Sequence, residues 1–136
     1  MKYLLDTDTL SNLVRRTPSP QLLARMAAVP PQERATSSVT IGEMLYGALR
    51  LGADGQLLLA RIEQVLQAVP VVCSFDERAA RRYAAARVAL ERAGTPLDEA
   101  DLRIGGIALA NDLVVVTANV RHFGRIPALE VENWLD

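Results

Sequence analysis

Leu113-Val114-Val115-Val116-Thr117 is the stretch on which the fold turns. It is an aliphatic run, mostly β-branched, too short for a helix, with Asn111-Asp112 before it as a turn and polar Thr117 at its end. Such a run reads as a strand buried on both faces. Strands of that kind belong to parallel sheets covered by helices, because a strand with one wet face alternates apolar and polar residues. Lys2–Leu5 is a second run of the same kind and stops at Asp6.

Between these two strands the pattern alternates. Thr7–Arg16 has Leu10, Leu13 and Val14 at helical spacing and is ended by Thr17-Pro18-Ser19-Pro20. Gln21–Val29 is a short second helix stopped by Pro30-Pro31, and Ala35–Val39 a short strand. Ile41–Leu51 carries Ile41, Met44, Leu45 and Leu49 on one face and ends at Gly52. Gln56–Gln67 is an apolar-rich helix and Val69–Cys73 a strand. Ser74-Phe75-Asp76-Glu77 fits a capping box for a helix over Arg78–Ala93, closed by Gly94. Asp98–Ala110 is the last long helix and Leu129–Val131 a short final strand. Strands alternating with helices predict an α/β fold with a mainly parallel sheet, in one domain spanning the 136 residues. In such sheets, ligands bind in the crevice beyond the carboxyl ends of the strands.

Composition narrows the function classes. Half of the residues are hydrophobic and 23% are charged, which excludes a disordered or collagen-like chain. The formal net charge of −1 excludes a basic protein that coats nucleic acid. All but one of the 15 basic residues are Arg, the exception being Lys2. Cys73 is the single cysteine, and Asp6 and Asp8 interrupt the opening apolar residues before a secretory h-region forms, so the expected compartment is the cytoplasm. No stretch approaches the ~20 apolar residues that span a bilayer.

The acidic residues carry the chemistry. Asp6 falls at the carboxyl end of the first strand and Asn119 just beyond the Leu113–Thr117 strand, on the same edge of the sheet. Glu43 and Asp101 fall in the first turns of helices that begin near that edge. Each has a structural reading of its own. Asp6 and Asp8 could cap a helix, Thr40-Ile41-Gly42-Glu43 matches a capping box, Asp98 and Asp101 could answer a helix dipole, and Asn119 could be a turn residue. Carboxylates that converge on one crevice raise each other's pKa and require a compensating charge. Oxygen ligands without Cys or His suit Mg²⁺ or Mn²⁺ and argue against zinc. An ion so held polarises a phosphate and activates water without a protein nucleophile. No Gly-rich phosphate loop and no G-x-S-x-G elbow offers another route.

Four motifs in order resemble the PIN-domain toxins of the VapC type. They are Tyr3-Leu4-Leu5-Asp6-Thr7-Asp8-Thr9-Leu10-Ser11, Ser37–Gly47 around Glu43, Gly94–Ile104 around Asp101, and Val116–Pro127 around Asn119; Val131-Glu132-Asn133-Trp134 resembles the usual end. The resemblance implies a three-layer α/β/α sandwich with four to five short strands. It also implies an endoribonuclease dependent on Mg²⁺ or Mn²⁺, acting on tRNA or rRNA and held inactive by a VapB-type antitoxin. The metal-binding acids of the family fall on Asp6, Glu43 and Asp101, and its fourth site position on Asn119. The chain departs from the pattern at Asp8, where members usually carry Asn, and at Asp98, commonly Gly; both are possible additional ligands. Thr7 and Thr117 are placed to hydrogen-bond the acids. A homodimer is implied, with the antitoxin laid across a groove near Ile41–Leu51.

RNA approaching carboxylates needs cationic help, for which Arg15, Arg16, Arg121 and Arg125 are the candidates. Only six aromatics occur, too few for base-stacking platforms. His122 is expected to pack or hydrogen-bond beside Phe123, and adjacent leucines on Gln56–Gln67 point to a helix either buried on two sides or partly open to a partner. Two rival readings remain. Asp6-Thr7-Asp8 with Thr117 resembles a haloacid-dehalogenase-like phosphatase, although the sole lysine sits at the wrong end of the first strand. A PIN-like chain that binds without turnover is the other.

Overall fold

The computed structural model describes residues 1–136. Five short strands form one sheet: β1 (Tyr3–Leu5), β2 (Arg34–Ser37), β3 (Val71–Cys73), β4 (Val114–Val116) and β5 (Val131–Glu132). Their spatial order is β3-β2-β1-β4-β5 and every neighbouring pair is parallel. The helices are α1 (Thr7–Val14), α2 (Pro20–Ala28), α3 (Ser38–Leu49), α4 (Gln56–Gln67), α5 (Glu77–Arg92), α6 (Glu99–Ala110) and the single turn α7 (Val120–Phe123).

Residue parity on the two central strands sorts the helices into layers. Leu4 and Val115 pack with Ala79, Ala86 and Leu90 of α5 and Leu102, Ile104 and Ile107 of α6. Tyr3, Leu5, Val114 and Val116 pack on the opposite face with Leu10 and Val14 of α1, Leu22 and Met26 of α2, Met44 of α3 and Ile62 of α4. The sheet is therefore buried on both faces, as its uninterrupted aliphatic strands require, and the architecture is the α/β/α sandwich. Gly106 lets α5 and α6 approach closely, since a Cβ there would lie 2.7 Å from the Ala79 carbonyl oxygen.

Several boundaries differ from the sequence expectation, and two differences bear on the site. α3 begins at Ser38, not at Ile41, and Ser37 is its cap, with Oγ accepting the Thr40 N–H at 2.9 Å. Thr40 is thereby buried inside the first turn, and no capping box at Thr40–Glu43 exists. The cap of α5 is Asp76, not Ser74, with Oδ1 accepting the Ala79 N–H at 2.9 Å. The strands are shorter than the apolar runs, and the last lies at Val131–Glu132 instead of Leu129–Val131. On α4, Leu57 is exposed while Ile62 is buried and Leu58, Leu59, Val65 and Leu66 are half-buried, so the helix has one open edge. No helix is long and apolar enough to cross a membrane.

Candidate active site

The strand order reverses between β1 and β4, which pair directly through Leu5 and Val116. That reversal opens a crevice at their carboxyl ends. Asp6 leaves β1 there and is buried at 4% exposure. Although Asp6 occupies the cap position of α1, its carboxylate makes no capping bond. It accepts instead from Thr117 Oγ1, at the end of β4, over 2.9 Å.

Asp8, in the first turn of α1, lies across the same threonine. Its carboxylate oxygens are 3.2 Å from Thr117 Oγ1, and Oδ2 also accepts the Ala118 N–H at 3.1 Å. Asp8 thus pins the β4–α7 connection to α1. Thr7 Oγ1 donates to Glu43 Oε1 at 2.7 Å, which brings α3 to the N-terminus of α1. With Ser37 as the cap, Glu43 has no helix-capping duty. Asp98 does: it caps α6 through the Asp101 N–H at 2.9 Å, and so stands beside Asp101 as a structural acid.

The electrostatics join these residues into one group. Burial is the main cause that pushes Asp6 up to about 7, with Asp8 and then Asp101 adding repulsion and the Thr7 backbone N–H and Thr117 hydroxyl opposing it. Asp101 is pushed up to about 6 by burial first, then by Asp98, Glu43 and Asp8. Both shifts mark carboxylates that lack a compensating cation. The acids are linked through Asp101, which lies in electrostatic reach of Asp6, Asp8, Glu43 and Asp98. No three Asp, Glu, His or Cys side chains are gathered tightly enough to form a ready-made ion cage. The donor set is all oxygen, the chemistry of a hard divalent cation.

Asn119 opens α7, and its N–H donates to Thr117 Oγ1 at 3.0 Å. Its Nδ2 lies 2.7 Å from His122 Nδ1, a contact that the sequence reading assigned to neither residue. The Asn119-x-x-His122 spacing on one helical turn was the available signal. Arg121 and Arg125 are exposed near this end of the sheet and make no ion pair. Arg15 and Arg16 follow the far end of the eight-residue α1, about 12 Å along the helix from Asp6. They line a separate cleft with Arg61.

A cavity of about 340 Å³ adjoins the acids, with Thr7, Glu43, Met44, Arg50, Leu58 and Ile62 in its wall. The flanking helix surfaces expose Tyr46 (69%), Leu49 (62%) and Leu57 (65%).

Comparison with known proteins identifies the family and the fold. The PIN domain family matches residues 3–129. The tRNA(fMet)-specific endonuclease VapC of Salmonella typhimurium is 33% identical over 134 residues, covering 98% of each chain. The DNA-bound VapBC structure from Salmonella typhimurium superposes with a TM-score of 0.89 over 98% of each chain, at 33% identity. VapBC-5 of Mycobacterium tuberculosis, a member of the VapBC family of toxin-antitoxin systems, superposes with a TM-score of 0.69 at 25% identity, covering 97% of this chain and 96% of that one.

Proposed function

The chain belongs to the PIN-domain family, and on that premise we propose that it is the RNA-cleaving toxin of a toxin–antitoxin pair. It is a hydrolase of phosphodiester bonds whose active site is the crevice of Asp6, Glu43, Asp101 and Asn119. The observation that carries this reading is the burial of Asp6 at the β1–β4 reversal, where its carboxylate caps no helix and faces Asp8 and Asp101 across one crevice. Burying such a charge costs several kcal/mol unless something pairs with it.

PIN-domain ribonucleases are metal-dependent, and Mg²⁺, or Mn²⁺ in its place, is the ion that an all-oxygen set fits. Asp6, Glu43 and Asp101 would hold it, with Asp8 and Asp98 adding negative potential from their structural positions. Bound there, the ion supplies a polarised phosphate and a more acidic water. The chain's own residues do the rest. Thr117 aims the Asp6 carboxylate and Thr7 aims that of Glu43. Asn119, a neutral amide, orients water or substrate without adding charge. Arg121 and Arg125, free of carboxylate partners, hold RNA phosphates at the rim. Arg15 and Arg16 are too far along α1 to do so at the scissile bond.

tRNA or rRNA is the expected substrate class, in keeping with the tRNA endonuclease name of the Salmonella relative. The cavity beside Glu43 and the apolar surfaces on α3 and α4 suit an antitoxin segment, and the assembly is expected to be a homodimer that binds antitoxin into a higher oligomer. The phosphatase reading is weakened at its second acid, because Asp8 Oδ2 is tied to the Ala118 N–H at 3.1 Å. Lys2 stands before β1, at the opposite end of that strand from Asp6.

The test is direct. The purified chain, freed of partner, is incubated with total RNA and with p-nitrophenyl phosphate in Mg²⁺, Mn²⁺ or EDTA, with Asp6→Asn and Asp101→Asn in parallel. RNA fragments that require the cation and vanish in both variants support the nuclease. Phosphate release sensitive to Asp8→Asn would support the phosphatase, and partner binding without any turnover would support the silent module.

A further inference from the structure

The Asn119 carboxamide has two unlike ends, an NH₂ that only donates and an Oδ1 that only accepts. Its Nδ2 is 2.7 Å from His122 Nδ1, and in this amide orientation the neutral imidazole accepts there and carries its proton on Nε2. The backbone of Asn119 is held separately, by its N–H on Thr117 Oγ1 at 3.0 Å, and that same hydroxyl lies 2.9 Å from Asp6 Oδ2. The terminal torsion of an asparagine is otherwise broad and roughly two-fold. No other side chain fixes it here, and Oδ1 has no protein donor. His122 itself is exposed and adds nothing to the core, whose anchor on this turn is Phe123.

We propose that His122 is a positioning residue for RNA cleavage: its Nδ1 locks the Asn119 amide so that Oδ1 stays free to accept a proton-bearing oxygen, the attacking water, at the acidic crevice. This rests on the ribonuclease reading above. Without the imidazole the amide rotates, and part of the population turns NH₂ where an acceptor is needed. The loss falls on the chemical step and not on RNA binding, because His122 contributes no phosphate contact in this arrangement.

The test uses the full chain, with His122→Ala and His122→Gln. Gln keeps an acceptor oxygen at comparable reach, and Ala does not. Cleavage of a defined RNA in Mg²⁺ is expected to show kcat down about tenfold in the Ala variant, KM unchanged, and kcat largely restored in the Gln variant. In ¹⁵N spectra of the metal-free protein, His122 Nδ1 should carry the unprotonated resonance. The Asn119 side-chain NH₂ should shift in Ala and return toward its native position in Gln. An unchanged kcat in Ala, a rise in KM instead, or a proton on Nδ1 of the neutral ring would each overturn the proposal. If the wild-type chain cleaves no RNA, the ribonuclease reading fails by itself, and the spectra still decide whether imidazole holds the amide.

Discussion

Glu99 and Asp101 stand two residues apart in the first turn of α6, and the protein treats their charges in opposite ways. Glu99 faces the seam between α5 and α6, where Tyr83 donates to it and Arg87 and Arg103 surround it, so its pKa is lowered, the Tyr83 hydrogen bond being the main cause. Asp101 faces the crevice, finds only burial and other acids, and is raised to about 6. The seam has its arginines committed to carboxylates, Arg87 to Glu99 and Glu91 and Arg103 to Glu99. The acids of the crevice make no ion pair. Ordinary surface charges are neutralised locally; a functional site keeps an imbalance that a ligand must complete.

Substitutions that separate the two regions differ widely in expected size. Asp6→Asn should lower RNA cleavage by roughly three orders of magnitude, about 4 kcal/mol of transition-state stabilisation. The same change should stabilise the metal-free fold, because Asn still accepts the Thr117 bond and no longer buries a charge. Urea unfolding in EDTA at pH 8 should show a gain on the order of 2 kcal/mol. A loss there would mean that the Asp6 charge is already compensated within the chain. Thr117→Val is the next largest. It removes the side-chain donor that lowers the Asp6 pKa and should reduce cleavage roughly 10- to 100-fold, as loss of a residue orienting a metal ligand does. Restoration by Thr117→Ser would identify the hydroxyl as the cause.

The pH dependence follows from the same imbalance. The folded pKa values of Asp6 and Asp101 lie above their unfolded value of 3.8, at about 7 and about 6. Their contribution to stability is therefore complete below about pH 3.8 and is lost as pH rises through about 6 and 7. The metal-free chain should accordingly have a higher urea midpoint at pH 5 than at pH 8, as far as these groups act. Saturating Mg²⁺, which favours the ionised forms, should flatten the difference. With limiting Mg²⁺, cleavage should fall as pH drops from 8 to 6, because protons then compete for the carboxylates. A midpoint independent of pH in EDTA would remove the imbalance from the crevice. The smallest effect belongs to the seam. Glu99→Gln breaks exposed ion pairs only and should leave the cleavage rate within error of wild type, with Asp101→Asn as the contrasting inactive neighbour.

The crevice was legible in the sequence to the extent that strand ends were. Aliphatic runs that stop at Asp6 and Thr117 mark two strand termini, and parallel strands put both on one edge of a sheet. What could not be read was the choice between structural and functional acids. Thr40-Ile41-Gly42-Glu43 looks like a cap and is not one, because Ser37 starts the helix three residues earlier. Asp98 and Asp101 look alike, and only the geometry makes one the cap and the other the residue left facing the crevice. Arg15 and Arg16 look close to Asp6 in sequence, but α1 carries them to its other end.

Local pattern was enough for the α/β alternation, the parallel sheet and the identity of the residues at its edge, because hydrophobic period and helix signals act over a few neighbours. The layer assignment of each helix, the sharing of Thr117 between Asp6 and Asp8, the Thr7–Glu43 bond and the Asn119–His122 pair came only with the packed chain. Each joins side chains whose positions depend on how separate elements or successive turns settle against one another. Burial does the rest: a carboxylate acquires a raised pKa only when distant segments close over it and exclude water.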